Sequence, residues 1–179
     1  MENYFDFYTL PVSFHPDAAT VKATFYERSK TYHPDRYAQG DSSKMLEALT
    51  LAAHNNKAYK TLSNSDATMA YVLELAGVIT HDEKYALPPA FLMEMMDINE
   101  AVSDFEAEPG NETAKTQLLN TIQEQFDTWQ AAAETLIHRY EAGEKSNELL
   151  LQIKDMYYRR KYLLRIQERI NKFASRQSS

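Results

Sequence analysis

The residues with the most chemical promise are two copies of one tripeptide, His15-Pro16-Asp17 and His33-Pro34-Asp35. Each offers an imidazole, a rigid ring and a carboxylate, a set able to move a proton, hold a cation or meet a partner guanidinium. The five histidines (His15, His33, His54, His81 and His138) are scattered, with no i, i+4 pair and no Glu-x-x-His, so the pattern argues against a metal site. With no cysteine there is no thiolate nucleophile, thiolate ligand or disulfide, and no glycine-rich loop is present to cradle a phosphate. No resident metal or cofactor is expected. A second constellation lies further on: Leu92, Met93 and Met96 at i, i+1 and i+4, with Asp97, Glu100 and Asp104 on an adjoining stripe. Methionine and leucine form a soft apolar patch that can repack on a partner, and the carboxylates around it attract a basic surface. Both constellations read as docking apparatus rather than catalytic machinery.

The surrounding elements separate the two tripeptides. Val21, Phe25, Arg28 and Tyr32 fall at i, i+4, i+7 and i+11, one stripe of a helix over residues 18–32. Lys22, Arg28 and Lys30 make that helix basic, opposed only by Glu27. The residue before a proline is pushed out of the helical region, so the helix stops at His33, and a short loop presents His33, Pro34 and Asp35 to solvent. The earlier copy precedes the helix, where Asp17 is its natural N-cap. Gly40, Asp41 and Ser42 read as loop and then cap of the next helix, 43–62. Leu46, Leu49, Ala53, Asn56 and Tyr59 recur there at helical spacing, and the short connection predicts an antiparallel pair. Asn64-Ser65-Asp66 caps a helix over 67–76 that Gly77 ends.

Four glycines and six prolines in 179 residues, with few β-branched side chains, predict an all-α chain. Residues 1–77 form a first domain, and 78–89, with Thr80, His81, Asp82 and the pair Pro88-Pro89, a connecting segment. Residues 90–174 form an up-down-up bundle of helices at 90–106, 112–142 and 148–173, and 175–179 a frayed tail. In the first of these helices Phe91, Met95, Ile98, Val102 and Phe105 can supply the core alone, which leaves Leu92, Met93 and Met96 for the outside. The second carries Leu118 or Leu119, Ile122, Phe126, Trp129, Ala133, Leu136 and Tyr140 on one stripe. A formal net charge of -7 argues against nucleic acid as the main partner. The last helix is nevertheless basic (Lys154, Arg159, Arg160, Lys161, Arg165, Arg169, Lys172, Arg176), with Tyr157, Tyr158 and Tyr162 interleaved. It reads either as a nucleic-acid patch or as the complement of the acidic first bundle helix and of Glu124, Asp127 and Glu134, and the overall acidity favours the complement. With no long apolar run, neither a signal peptide nor a membrane span is expected, and the protein is expected in the cytoplasm.

Tyr32-His33-Pro34-Asp35-Arg36 at the end of a basic helix resembles the signature loop of J-domains, which drive ATP hydrolysis by heat-shock-cognate chaperones. Residues 4–10 resemble the short opening helix of such a domain and 56–62 the end of its third helix. Phe91-Leu92-Met93-Glu94-Met95-Met96-Asp97-Ile98-Asn99-Glu100 resembles the FLMExxELRE stretch of the HscB family, J-domain co-chaperones of iron–sulphur cluster assembly. The resemblance covers nearly the whole sequence. It implies a J-domain and a three-helix bundle set against each other in an L. It also implies that His33, Pro34 and Asp35 contact the chaperone ATPase, of HscA or DnaK class, with Lys22, Arg28, Lys30 and Arg36 steering a negative surface toward them. Leu92, Met93, Met96, Asp97, Glu100 and Asp104 would then bind the IscU-type cluster scaffold, with Tyr157 or Tyr158 nearby. The implied role is activator of a partner's ATPase, not enzyme. Arg36 stands where the family has lysine, and Asp97 and Asp104 where it has glutamate, which shortens their reach. A general J-protein with another client, or an adaptor holding nucleic acid on the last helix, are the alternatives.

Overall fold

The computed structural model describes residues 2–37 and 42–177, so the expected loop and cap at Gly40 and Asp41 lie outside the described residues. The chain divides into two compact units, Met1–Gly77 and Val78–Ser179, all-helical among the described residues.

In the first unit, α1 (Tyr4–Tyr8) starts at Asn3, whose side chain accepts from Asp6 N–H, and stops at Thr9, the left-handed residue after it. It buries Phe5, Phe7 and Tyr8. The second helix, α2 (Ala18–Thr31), is capped by Asp17, which accepts from Thr20 N–H at 2.8 Å and from the Thr20 hydroxyl at 2.6 Å. These hydrogen bonds, the side-chain one foremost, hold the Asp17 carboxyl below its ordinary range. The first tripeptide is thus a helix cap, as its position predicts. Helix α3 (Ser42–Leu62) runs antiparallel to α2: Tyr59 stacks on Phe25 at 4.2 Å, Asn55 bonds to Ser29, and Ala48 and Leu51 border Tyr32. Helix α4 (Ser65–Leu75) is capped by Asn64, and Gly77, at φ 71°, ends the unit.

The inner face of α3 departs from the expected stripe. Leu46 and Leu49 are exposed, as are Ala53 and Asn56, while Ala48, His54, Asn55, Ala58 and Leu62 are buried. Small alanines let α2 and α1 approach closely, and the polar residue between them is fully satisfied. Tyr8 O–H donates to Asn55 Oδ1 at 2.8 Å, and Asn55 Nδ2 donates to the Phe25 carbonyl (3.1 Å) and the Ser29 hydroxyl (3.0 Å). One side chain therefore ties three helices. Burial pushes the Tyr8 phenol up to about 12, against the pull of nearby Arg28, so it stays a donor. Asn55→Leu is expected to cost roughly 2–3 kcal/mol, because it strips the Phe25 carbonyl and Ser29 of their donor and leaves the buried Tyr8 hydroxyl only its longer bond (3.3 Å) to the residue 55 carbonyl; urea unfolding with an unchanged midpoint would contradict this.

His54 lies between Tyr4 (5.1 Å) and the edge of Phe7 (4.6 Å) and is 8% exposed. Burial first, and the Lys57 charge with it, hold its pKa below the ordinary 6.5. The unfolded chain therefore binds the extra proton first. Stability conferred by neutral His54 is complete above about pH 6.5 and is lost as pH falls through the folded value. In His54→Phe this part of the pH slope should vanish from urea midpoints measured between pH 7 and 5. An identical slope in both chains would place the titration elsewhere.

In the second unit, residues 78–88 contain no helix and lead into α5 (Pro89–Ala107), where Pro89 occupies the first turn, a position that needs no N–H donor. The buried set is the expected one: Phe91, Met95, Ile98, Val102 and Phe105. Helix α6 (Glu112–Glu141) follows the Asn111 cap and buries Leu118 rather than Leu119, and Ile137 more fully than Leu136. Helix α7 (Asn147–Gln177) extends past Phe173, where a polar tail is expected, with Ser178 and Ser179 outside the described residues. Contacts fix the directions. Trp129 indole N–H donates to the Met156 carbonyl at 2.7 Å and Arg160 lies over the Trp129 and Phe126 rings, so α6 and α7 are antiparallel. Phe91 meets Tyr162 and Phe105 meets Phe173, so α5 and α7 run parallel. The bundle is up-down-up.

Candidate functional site

Helix α2 ends because His33 takes an extended conformation (φ -64°, ψ 126°) ahead of Pro34. Residues Pro34–Arg36 then form one 3-10 turn, closed by Arg36 N–H to the His33 carbonyl (3.1 Å) and Tyr37 N–H to the Pro34 carbonyl (2.9 Å). The Tyr37 hydroxyl donates back to the Thr31 carbonyl at 3.3 Å, fastening the turn to the helix. His33 Nδ1 accepts from Asp35 N–H at 3.3 Å. Asp35 Oδ2 lies 3.5 Å from that same atom, and the carboxylate is 89% exposed. A rigid turn holds a carboxylate out into water.

Of the four cations expected around it, Lys22, Lys30 and Arg36 are exposed. Arg28 is not. Its place on the inward stripe of α2 turns it over the Phe7 ring (4.5 Å), within reach of the Tyr32 hydroxyl (3.3 Å), with Nε buried. It is half-buried, its guanidinium turned inward over the ring rather than presented with the other three.

On α5, Leu92, Met93 and Met96 are 40%, 69% and 65% exposed, beside exposed Asp97, Glu100 and Asp104. The two tyrosines of α7 part company. Tyr158 stacks on Tyr85 of the 78–88 segment (4.5 Å, 12° between planes) and its hydroxyl donates to Glu83. Tyr157 meets Tyr158 edge-on at 5.1 Å and is half-buried. Of the α7 tyrosines, Tyr162 reaches α5 directly: its hydroxyl accepts from Asn99 Nδ2 at 2.8 Å. Neither Tyr85, Glu83, Asn99 nor Tyr162 stands out by spacing as a site residue, since each is singled out only by a partner far away in the chain.

The α7 cations are largely engaged within the unit. Lys154 pairs with Glu83, Arg159 with Asp155, Arg169 with Glu106 and Lys172 with Glu168, while Arg160 covers Trp129. Arg169–Glu106 is the pair that meets the acidic first bundle helix, the others going to Glu83 and to acids of α7 itself, while Asp127 accepts from Gln123 on its own helix. Among the described residues no group of three or more metal-type side chains converges, and no helix is long and apolar enough to cross a membrane.

Residues 87–171 match the family model described as the HSCB C-terminal oligomerisation domain. The chain is similar to the co-chaperone protein HscB homologue of Psychromonas ingrahamii, 38% identical over 104 residues, which are 58% of this chain and 62% of that one. It is also similar to the homologue of Aliivibrio salmonicida, 29% identical over 167 residues, 86% of this chain and 97% of that one. The segment matched by that model, 85 of the 179 residues, is similar to the C-terminal domain of the HscB family. Its fold is that of solved HscB structures: chaperone HscB from Vibrio cholerae (TM-score 0.73, 24% identity, 98% of this chain and 99% of that one) and human co-chaperone HscB (TM-score 0.75, 23% identity, 96% and 81%). The bundle after the first unit is thus similar to that of co-chaperone HscB homologues.

Proposed function

We propose that the chain is a cytoplasmic two-sided adaptor: residues 1–77 act as a J-domain that stimulates an HscA- or DnaK-class chaperone ATPase, and the bundle delivers an IscU-type iron–sulphur scaffold to it. The observation that carries this reading is Asp35, 89% exposed on a hydrogen-bonded turn at the end of a basic helix. A carboxylate so placed suits the bidentate grip of a partner arginine, and Lys22, Lys30 and Arg36 suit an acidic partner surface. The exposed Leu92, Met93 and Met96, left over once the α5 core is complete, support the second half. Carrying both partners on one chain raises the effective concentration of each for the other.

The test is a steady-state ATPase assay with the chaperone, the full chain and the scaffold. The chain alone should stimulate hydrolysis, and scaffold with chain should stimulate more than either alone. A flat response at saturating chain would remove the first half of the reading. The engagement of Lys154, Arg159, Arg169 and Lys172 with acids leaves little of α7 for nucleic acid, so no second reading is taken up.

A further inference from the structure

Residues 78–88 carry Thr80, His81, Asp82 and Pro88, a composition typical of a linker, yet they are riveted to α7. Glu83 Oε1 lies 2.5 Å from Lys154 Nζ, in a pair whose side chains are only 26% and 12% exposed. Its other oxygen accepts from Tyr158 at 3.3 Å. Tyr85 lays its ring parallel to Tyr158, and its hydroxyl donates to Asp155 Oδ1 at 2.8 Å. The second oxygen of Asp155 accepts from Arg159 Nε at 2.6 Å, and the Arg159 guanidinium rests 5.0 Å from the centre of the Phe91 ring. Contacts thus run without a break from Tyr158 through Tyr85, Asp155 and Arg159 to Phe91, the buried residue next to Leu92. Burial, with Asp155 and Glu83 acting in the same sense, pushes both the Tyr85 and Tyr158 phenols up to about 12, so each keeps its proton and remains a donor.

We infer that Tyr85 is a positioning residue for scaffold binding: it clamps Tyr158 and, through Asp155 and Arg159, fixes the N-terminal end of α5, whose first turns carry Leu92, Met93 and Met96. The inference rests on the scaffold-binding reading of that face. Two constraints set its form. A tyrosine ring held on one side by a parallel neighbour and at its hydroxyl by a carboxylate has a single orientation, so little rotamer freedom remains to be lost when a partner arrives. An arginine whose guanidinium is shared between a carboxylate and an aromatic face likewise cannot swing away without forfeiting both contacts. Removing the Tyr85 ring frees Tyr158 on one face and takes one of the two donors from Asp155, while Phe91 and the rest of the α5 core stay in place.

The experiment uses the full chain as wild type, Tyr85→Phe, Tyr85→Leu and Tyr85→Ala, with purified IscU-type scaffold as the probe. Scaffold affinity, thermal midpoint and chaperone ATPase stimulation without scaffold are measured on each. Tyr85→Phe keeps the stacked ring but loses the Asp155 link and should bind scaffold about threefold more weakly than wild type, whereas Tyr85→Ala, which loses both, should lose on the order of tenfold. Tyr85→Leu, which restores apolar cover without a planar ring, should fall with alanine and not with phenylalanine. Stimulation without scaffold should be the same in all four, and the Tyr158 ring resonances should shift in the alanine and leucine chains only. A purely structural residue would lower the thermal midpoint with no change in scaffold affinity, and that result overturns the inference. If Leu92, Met93 and Met96 prove necessary for scaffold binding but Tyr85→Ala binds normally, positioning by Tyr85 is refuted and the docking face stands. If neither set of changes alters scaffold binding, the reading beneath the inference has failed and takes it along.

Discussion

Asp35→Asn is expected to abolish ATPase stimulation while leaving scaffold binding and the thermal midpoint at wild-type values. The substitution keeps shape and removes charge. The turn is made by backbone groups of residues 33–37 and by His33 Nδ1, none of which involves the Asp35 carboxylate, so it should survive. The side chain is 89% exposed, and its approach to His33 Nδ1 at 3.5 Å is one that an asparagine amide can also make. What disappears is the acceptor for a partner cation, and truncating one member of a desolvated interfacial pair costs about 2–5 kcal/mol, roughly 30-fold to several-thousand-fold in affinity. The first tripeptide supplies the internal control. Asp17→Asn alters the cap on α2 and should leave stimulation intact at temperatures where the chain stays folded. Full stimulation by the Asp35 variant, in the assay where wild type is active, would sink the docking role of this loop.

The combined substitution Leu92→Ala, Met93→Ala and Met96→Ala should weaken scaffold binding by at least about 100-fold, near 2.7 kcal/mol, at unchanged helicity. These three side chains contribute little to the bundle, since Phe91, Met95, Ile98, Val102 and Phe105 already fill the inner face of α5. Alanine is also the better helix former, so α5 itself has no reason to fray. The acidic rim acts differently. Asp97, Glu100 and Asp104 are exposed, and charges in that position govern the rate of encounter and its salt dependence more than the dissociation rate. Circular dichroism showing a melted bundle in the triple variant would mean the three residues are core after all.

Helix α5 was legible because its period is clean: five large apolar residues share one face, and the left-over Leu92, Met93 and Met96 share another. Helix α3 was not, because hydrophobic periodicity ranks Leu46 and Leu49 above Ala48 and Asn55, while the packed seam needs small residues and one satisfied amide. Arg28 shows the same limit. Its stripe position was readable, but a charged head group invites a surface assignment, and only the Phe7 ring beneath it reveals the inward turn. The segment before α5 was the least legible. Its helix-breaking composition is real, yet Glu83 and Tyr85 find their partners 70 or more residues away, and no local pattern encodes such pairings. The docking loop needed only local rules, since a proline, the residue before it and a preceding basic helix are all neighbours in sequence.

The length of α7 has a consequence for how the chain is made. At 31 residues, about 46 Å, it is the rod to which residues 83–85, α5 and α6 all fasten. It is also the last of these to leave the ribosome. The first unit can close once Gly77 has emerged, but α5, even with α6 against it, must wait about seventy further residues for α7 to complete its cover. During that interval Phe91 and Phe105 lack their ring partners Tyr162 and Phe173, so the nascent chain carries a sticky, half-assembled second unit behind a finished first one.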